Sequence, residues 1–235
     1  MIDIAAIVEG PTEQAFVQNF LAQHFGGHGV YIWACLPGRV RKRGGTHKWE
    51  SVRGDIIRTL KQHPGRICTT MFDYYGLPND WPGRTEAAAM PLNQKASHIE
   101  QALLNDLAVH AAVDFRHEWF VPYIQIHEFE ALLFADVVKM AETLAPVCGT
   151  LPDRLNTLFQ AILDEAHGQA EAINDSYETC PSRRITKLVH AYRKPVYGPI
   201  IANKIGLDAL RTACPHFGQW LGRLEAIGAN ASTTP

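Results

Sequence analysis

Five carboxylates stand where a short apolar run ends or just beyond it: Glu9 after Ile2–Val8, Glu13 four residues on, Asp73 after residues 66–72, and Glu128 and Glu130 after residues 120–126. In parallel α/β sheets, ligands bind outside the carboxyl ends of the strands. If these three strands are neighbours, their acids share one crevice. Carboxylates drawn together without cationic partners repel one another, and their pKa values rise. A divalent cation removes that conflict. Mg²⁺ (or Mn²⁺) suits the donor set, because Mg²⁺ takes a few carboxylates and completes its shell with water and phosphate oxygens. Such a site polarises a phosphodiester and lowers the pKa of an attacking water. The expected chemistry is metal-assisted phosphodiester cleavage, with Glu9, Glu13, Asp73, Glu128 and Glu130 as candidate ligands. Spacing alone leaves a second reading open, since an acid after a strand often only caps a helix or closes a turn.

Positive charge gathers in two places. Arg39, Arg41, Lys42 and Arg43 crowd a loop between Gly38 and Gly45, with Lys48 and Arg53 close behind. Glycine freedom with clustered cations suits a loop that grips a phosphate backbone, although a charge run can equally be a solvated face. The second cluster is Arg183, Arg184 and Lys187, followed by Arg193-Lys194 and Lys204. One of these lysines, Lys187 or Lys204, is suited to steady negative charge developing in phosphoryl transfer. Both therefore stand as catalytic candidates beside Glu9 and Asp73. His127 could ligate metal or simply hydrogen-bond at a strand end. His24 and His28 are spaced i,i+4, but Gly26-Gly27 interrupts the helix between them, so no zinc pair is expected. No GxxxxGK[ST] and no GxSxG occurs, which leaves no P-loop and no serine hydrolase elbow in view.

Positioning these groups takes alternating strands and helices. Ile2–Val8 is nearly continuous in apolar residues, as expected of a strand covered on both faces. Glu9-Gly10-Pro11-Thr12-Glu13 breaks it and opens a helix, with Pro tolerated near the start and acid favoured in the first turn. Further strands are expected over 30–36, 66–72 and 120–126. Trp49, Val52, Ile56 and Leu60 repeat at helical spacing, as do Ile99, Leu103 and Leu107. Strands separated by helices imply an α/β fold with a mostly parallel sheet flanked by helices. After Pro146 the strand signal fades, and 151–166 and 200–224 read as helical around an irregular stretch over 174–199. The expected organisation is an α/β core over 1–145, a helical extension over 146–228 packed on it, and a flexible tail over 229–235.

Composition sets the limits. The 235 residues are 46% hydrophobic and 20% charged, with a net charge of −2, so the chain is not a polycation. Any grip on nucleic acid must come from a local basic patch or from bound metal. No apolar run is long enough to span a bilayer, and no basic segment followed by a long apolar one marks a signal peptide. Five scattered cysteines form no CxxC pair. They are expected to be reduced thiols of a cytoplasmic protein.

The motifs carry a resemblance. Ile7-Val8-Glu9-Gly10-Pro11-Thr12-Glu13 resembles the first motif of Toprim domains, and Met71-Phe72-Asp73-Tyr74-Tyr75-Gly76-Leu77-Pro78 resembles the second. The whole chain is similar to the DUF4276 family, a Toprim-like group. The further matches are the segments 124–134, 179–184 and Cys214-Pro215-His216-Phe217, of which Gln125 to Phe134 is the most specific. Toprim domains occur in topoisomerases, primases and OLD-type nucleases, which bind divalent metal. The resemblance implies that Glu9 is a metal ligand or general acid/base and Asp73 a metal ligand. It also implies Glu13 as the second acid that OLD-type nucleases place one turn on, and Glu128 or Glu130 as a further carboxylate. There is one departure: Tyr75 stands where the second Asp of Asp-x-Asp belongs.

OLD-type proteins join their nuclease to an ATPase that is missing from this sequence. A separately encoded ATPase partner and a role in bacterial anti-phage defence are the expectation that follows. Nucleic acid, DNA or RNA, is the expected substrate, and homo-oligomerisation is left open. The alternatives are a non-catalytic Toprim-like module that binds nucleic acid or a partner, which Tyr75 favours, and a small-molecule phosphotransferase or phosphatase, for which the basic loop is needlessly large.

Overall fold

Strand β1 (Ile2–Val8) runs through the middle of the first unit, and Ile4, Ala5, Ala6, Ile7 and Val8 are fully buried. Complete burial of successive residues requires cover on both faces of the sheet. The computed structural model describes residues 2–38, 47–111, 115–173 and 178–232, with side chains as far as 229. These residues fall into two compact units, Met1–Ile126 with Gly222–Pro235, and His127–Leu221. The division comes at His127, and the C-terminal segment from Gly222 belongs with the first unit.

In the first unit, β1 leads into a continuous helical stretch: α1 (Pro11–Phe16), a π-helical turn (Val17–Leu21) and α2 (Ala22–Gly26). There follow β2 (Val30–Cys35), α3 (Trp49–Gln62), β3 (Ile67–Asp73), α4 (Arg84–Ala87), α5 (Leu92–His110), β4 (Phe120–Val121) and β5 (Ile124–Gln125). The sheet order is β2-β1-β3-β4, with β5 also on β3, and every pairing is parallel. The α/β expectation therefore holds: a parallel five-stranded sheet is flanked by helices, and helices fill the C-terminal part.

Helices α3 and α5 cover the face that carries Ile7, Cys68, Phe72, Phe120 and Ile124. They do so through Trp49, Val52 and Ile56 on one helix and Ile99, Leu103 and Leu107 on the other, the spacings that marked them as amphipathic. Phe16, Val17, Leu21 and Phe25 are buried along the 11–26 stretch. His24 bonds Glu225 at 2.7 Å, which ties this stretch to the C-terminal helix.

The strand expected over 120–126 is two short pieces. Pro122 has no N–H to give the ladder, and the chain steps away from β3 there. The register nevertheless continues, with Cys68 opposite Phe120 and Phe72 opposite Ile124. The buried hydroxyl of Thr70 bridges the gap, accepting from Tyr123 N–H at 3.0 Å and donating to Tyr123 C=O at 3.2 Å. Glu100 on α5 accepts from Ile124 N–H at 2.9 Å and secures β5.

The second unit is helical. A 3₁₀ segment (Phe129–Asp136) leads into α6 (Val137–Cys148), capped by Asp136, whose Oδ1 accepts from Lys139 N–H at 3.0 Å. Helices α7 (Pro152–Glu165), α8 (Pro181–Leu188), α9 (Lys194–Ile205), α10 (Leu207–Ala213) and α11 (Pro215–Ser232) follow, the last passing into the first unit at Gly222. The expected single helical stretch over 200–224 is three helices. Gly206 has φ 86°, a conformation that residues with a Cβ avoid, and Pro215 denies Cys214 a continuing helix. Helix α11 runs on through the expected tail to Ser232, and 233–235 lie outside the described residues. Among the described residues no helix is long and apolar enough to cross a membrane.

Candidate functional site

The chain leaves β1 for β2 on one side and later places β3 on the other. The space beyond the carboxyl ends of β1 and β3 is thus the point where strand order reverses, the place where open α/β sheets bind ligands. Glu9 follows β1 directly and Asp73 ends β3. Glu9 N–H continues the ladder to Met71 C=O at 3.0 Å, and its carboxylate Oε2 accepts from Asp73 N–H at 2.8 Å. Both side chains are partly buried. Two of the five predicted acids are therefore brought together, and by main-chain geometry.

Glu13 lies in the first turn of α1 and is 7% exposed. Its Oε2 folds back over Gly10, so close that a Cβ there would lie 3.1 Å away. Gly76 approaches Glu9 more tightly still, and a Cβ on it would meet Oε1 at 2.9 Å and Oε2 at 3.3 Å. The glycine following the two tyrosines is thus a packing requirement of the Glu9 carboxylate. His47, which the sequence reading passed over, also belongs here. Its ring meets Phe72 edge-on at 6.4 Å, while its C=O accepts from Trp81 Nε1 at 2.8 Å. Burial draws the His47 pKa below its ordinary value, partly offset by Asp55 and the Glu9 backbone. A histidine beside the Gly-flanked basic loop was the only signal available for it. Tyr75 is 49% exposed, packed at right angles to buried Tyr74 with ring centroids 5.0 Å apart.

Glu128 and Glu130 belong to the second unit, and their oxygens are engaged there. Glu128 accepts from Ser182 N–H at 2.9 Å, Ser182 Oγ at 3.0 Å and Lys194 Nζ at 2.9 Å. Glu130, 1% exposed, accepts from Tyr192 O–H at 3.1 Å and pairs with Lys194 Nζ at 3.1 Å. Burial pushes against ionisation of Glu128, but Lys194 and Ser182 outweigh it and hold its pKa below the ordinary range. Burial wins at Glu130, where the pKa is raised. The backbone that delivers both acids is strained: His127, fully buried, has φ 73°.

The expected basic loop residues Arg39, Arg41, Lys42 and Arg43 lie outside the described residues. Lys48 is exposed directly before α3. Arg53 bonds Asp106 at 3.2 Å. Arg183 pairs with Glu178 at 3.3 Å and Arg184 with Glu165 at 2.5 Å. Lys187 is exposed on α8, with Nζ 3.4 Å from Glu178 C=O, and Lys204 is exposed in the last turn of α9.

Glu9, Asp73 and Glu13 offer hard oxygen donors, which is the chemistry Mg²⁺ or Mn²⁺ selects. Among the described residues, no group of three or more His, Cys, Asp or Glu side chains is arranged to hold a metal ion. The donor set therefore fits a cation held by one or two carboxylates, with water and substrate oxygens completing its shell. It does not fit a closed protein cage. All five cysteines are free.

Comparison with known proteins gives one positive result: residues 8–225 match the family described as Domain of unknown function (DUF4276). No curated protein and no solved structure matches the chain. The chain belongs to the DUF4276 family.

Proposed function

We propose that this DUF4276 protein is a Mg²⁺-dependent, Toprim-type nuclease that cleaves phosphodiesters of DNA or RNA. The observation that carries the reading is the placement of Glu9 and Asp73 side by side at the reversal point of a parallel sheet. Glu9 and Asp73 would hold the cation, with Glu13 in the first turn of α1 as a further candidate. When bound, Mg²⁺ supplies Lewis acidity at the phosphodiester and lowers the pKa of an attacking water. The chain's own contribution is positional. Asp73 N–H fixes one oxygen of Glu9, and the Gly76 turn fixes the approach of the other.

The substrate would be gripped by the cations of the loop around Arg39, Arg41, Lys42 and Arg43, with Lys48 beside it. Lys187 and Lys204 stay candidates for stabilising developing charge. By analogy with OLD-type nucleases, a separately encoded ATPase would regulate the chain as the effector of a bacterial defence system. Free thiols accord with a cytoplasmic setting.

The test is cleavage of plasmid DNA and of tRNA with Mg²⁺ or Mn²⁺, with and without a candidate ATPase partner. Glu9→Gln and Asp73→Asn should abolish cutting while leaving thermal melting nearly unchanged. Cutting that survives both substitutions would overturn the assignment.

A second reading has its own observation. Tyr75 occupies the position of the missing second Asp, and no three-ligand group is present among the described residues. A non-catalytic module that binds nucleic acid or a partner would bind oligonucleotide equally well with EDTA and cut none.

A further inference from the structure

We infer that the second unit carries a pocket for a phosphate monoester dianion, walled by Ser182, Arg183, Thr186, Lys187, His190 and Lys194. The site lies wholly within that unit and needs neither a metal ion nor Glu9; Lys187 is shared with the nuclease reading, and binding measured in EDTA tests the pocket separately.

The cavity is about 350 Å³, large enough for a phosphate with part of the group that bears it. Its wall is built by α8, where residues four apart lie one above the other on the helix surface. Ser182 and Thr186 form one such row, and Arg183 and Lys187 the next. Hydrogen bonds fix the two hydroxyls: Ser182 Oγ donates to Glu128, and Thr186 Oγ1 donates to Ser182 C=O at 2.7 Å. His190 follows just after the helix, and Lys194 begins α9. Among the described residues, none of the six lining side chains is acidic. Arg183, Lys187 and Lys194 bring three cations to one concavity, two of them shared with acids: Arg183 with Glu178, and Lys194 with Glu128 and Glu130.

The placement of Lys194 is what separates this pocket from a chance run of surface charge. Its ammonium is held by Glu128 at 2.9 Å and Glu130 at 3.1 Å, and Tyr192 O–H holds Glu130 in turn. Burying Glu130 costs desolvation, and a well-packed apolar side chain would often serve stability as well or better. The left-handed backbone at His127, which leads into this pair, is itself strained. What these costs achieve is one ammonium fixed in direction at a cavity wall. A fixed cation binds an anion without reorganising. Arg183 adds a planar fork of donors suited to phosphate oxygens. Its partner Glu178 is an exposed surface acid, 67% accessible, and such pairs are weak enough for an incoming dianion to displace.

The phosphomonoester could be carried by a free phosphorylated metabolite or by the phosphorylated end of a nucleic acid, and the experiment separates them. Calorimetric titration of the full chain in EDTA would use inorganic phosphate, a nucleoside 5′-monophosphate, and an oligonucleotide with either a 5′-phosphate or a 5′-hydroxyl. Saturable binding is expected, weakened about tenfold or more in Arg183→Gln/Lys187→Gln, two exposed or half-exposed positions whose change leaves the core intact. A preference for the 5′-phosphorylated oligonucleotide over its 5′-hydroxyl twin assigns the nucleic-acid end. Binding of phosphate and mononucleotide without that preference assigns the metabolite. No saturable binding of any probe, or unchanged affinity in a double variant with native circular dichroism, overturns the pocket. Because no cation is present, none of these results depends on nuclease activity.

Discussion

The carboxylate of Glu9 accepts a hydrogen bond from the backbone N–H of Asp73 at 2.8 Å, across the carboxyl ends of two adjacent parallel strands. The bond fixes the acid of the first strand by the main chain of the second. Its position thus depends on strand register, and β1 and β3 are in register from Ile4 opposite Ile67 to Val8 opposite Met71. A one-residue slip would turn every side chain to the other face and dissolve the pair.

Gly76→Ala tests that positioning without replacing either acid. The new Cβ would lie 2.9 Å from Glu9 Oε1, so the carboxylate must move. The displaced atoms are the far end of a flexible side chain, so stability should fall by less than about 1 kcal/mol. Affinity for Mn²⁺, measured by calorimetry, should drop about tenfold or more, as when a group orienting a ligand is disturbed. Unaltered Mn²⁺ affinity would count against Glu9 as a ligand.

Glu128 and Glu130 should respond to pH in opposite senses although one ammonium serves both. Glu128 has its folded pKa below the ordinary value of 4.5, so it contributes stability above that value and loses it as pH falls through the folded pKa. Glu130 has its folded pKa raised, so the folded state holds the proton more tightly and stability declines as pH rises from 4.5 through that folded value. Relative to the unaltered chain, Glu128→Gln should be less stable at neutral pH, with the deficit closing below 4.5. The balance for Glu130→Gln should improve as pH rises above 4.5. Urea melts across pH 3–8 check both, and difference curves that move in the same direction would refute the assignment.

Thr70→Val removes the hydroxyl that bridges the break between β4 and β5. Both its bonds, to Tyr123 N–H and C=O, are buried. Valine matches the shape, so the loss should reflect hydrogen bonding alone, about 2–3 kcal/mol. Hydrogen exchange should quicken at Ile124 and Gln125. If it quickens throughout the sheet instead, the effect is global and not a local release of β5.

Much of the first unit was legible in the chain itself. The apolar runs at β1 and β3 and the helical spacing of Trp49, Val52 and Ile56 depend on local periodicity, and a strand or helix buries its own pattern wherever it lies. Glu9 and Asp73 could be marked as strand-end acids for the same reason. Tertiary structure decided what each acid meets. Lys194 pairs with Glu128 from 66 residues away, and that bond gives the expected ligand an ammonium partner within the second unit. His47 meets Phe72 at 6.4 Å although the two lie far apart in sequence. Local pattern specifies which elements form. The partners of a charged side chain depend on register and packing between distant segments, which no short window of sequence contains.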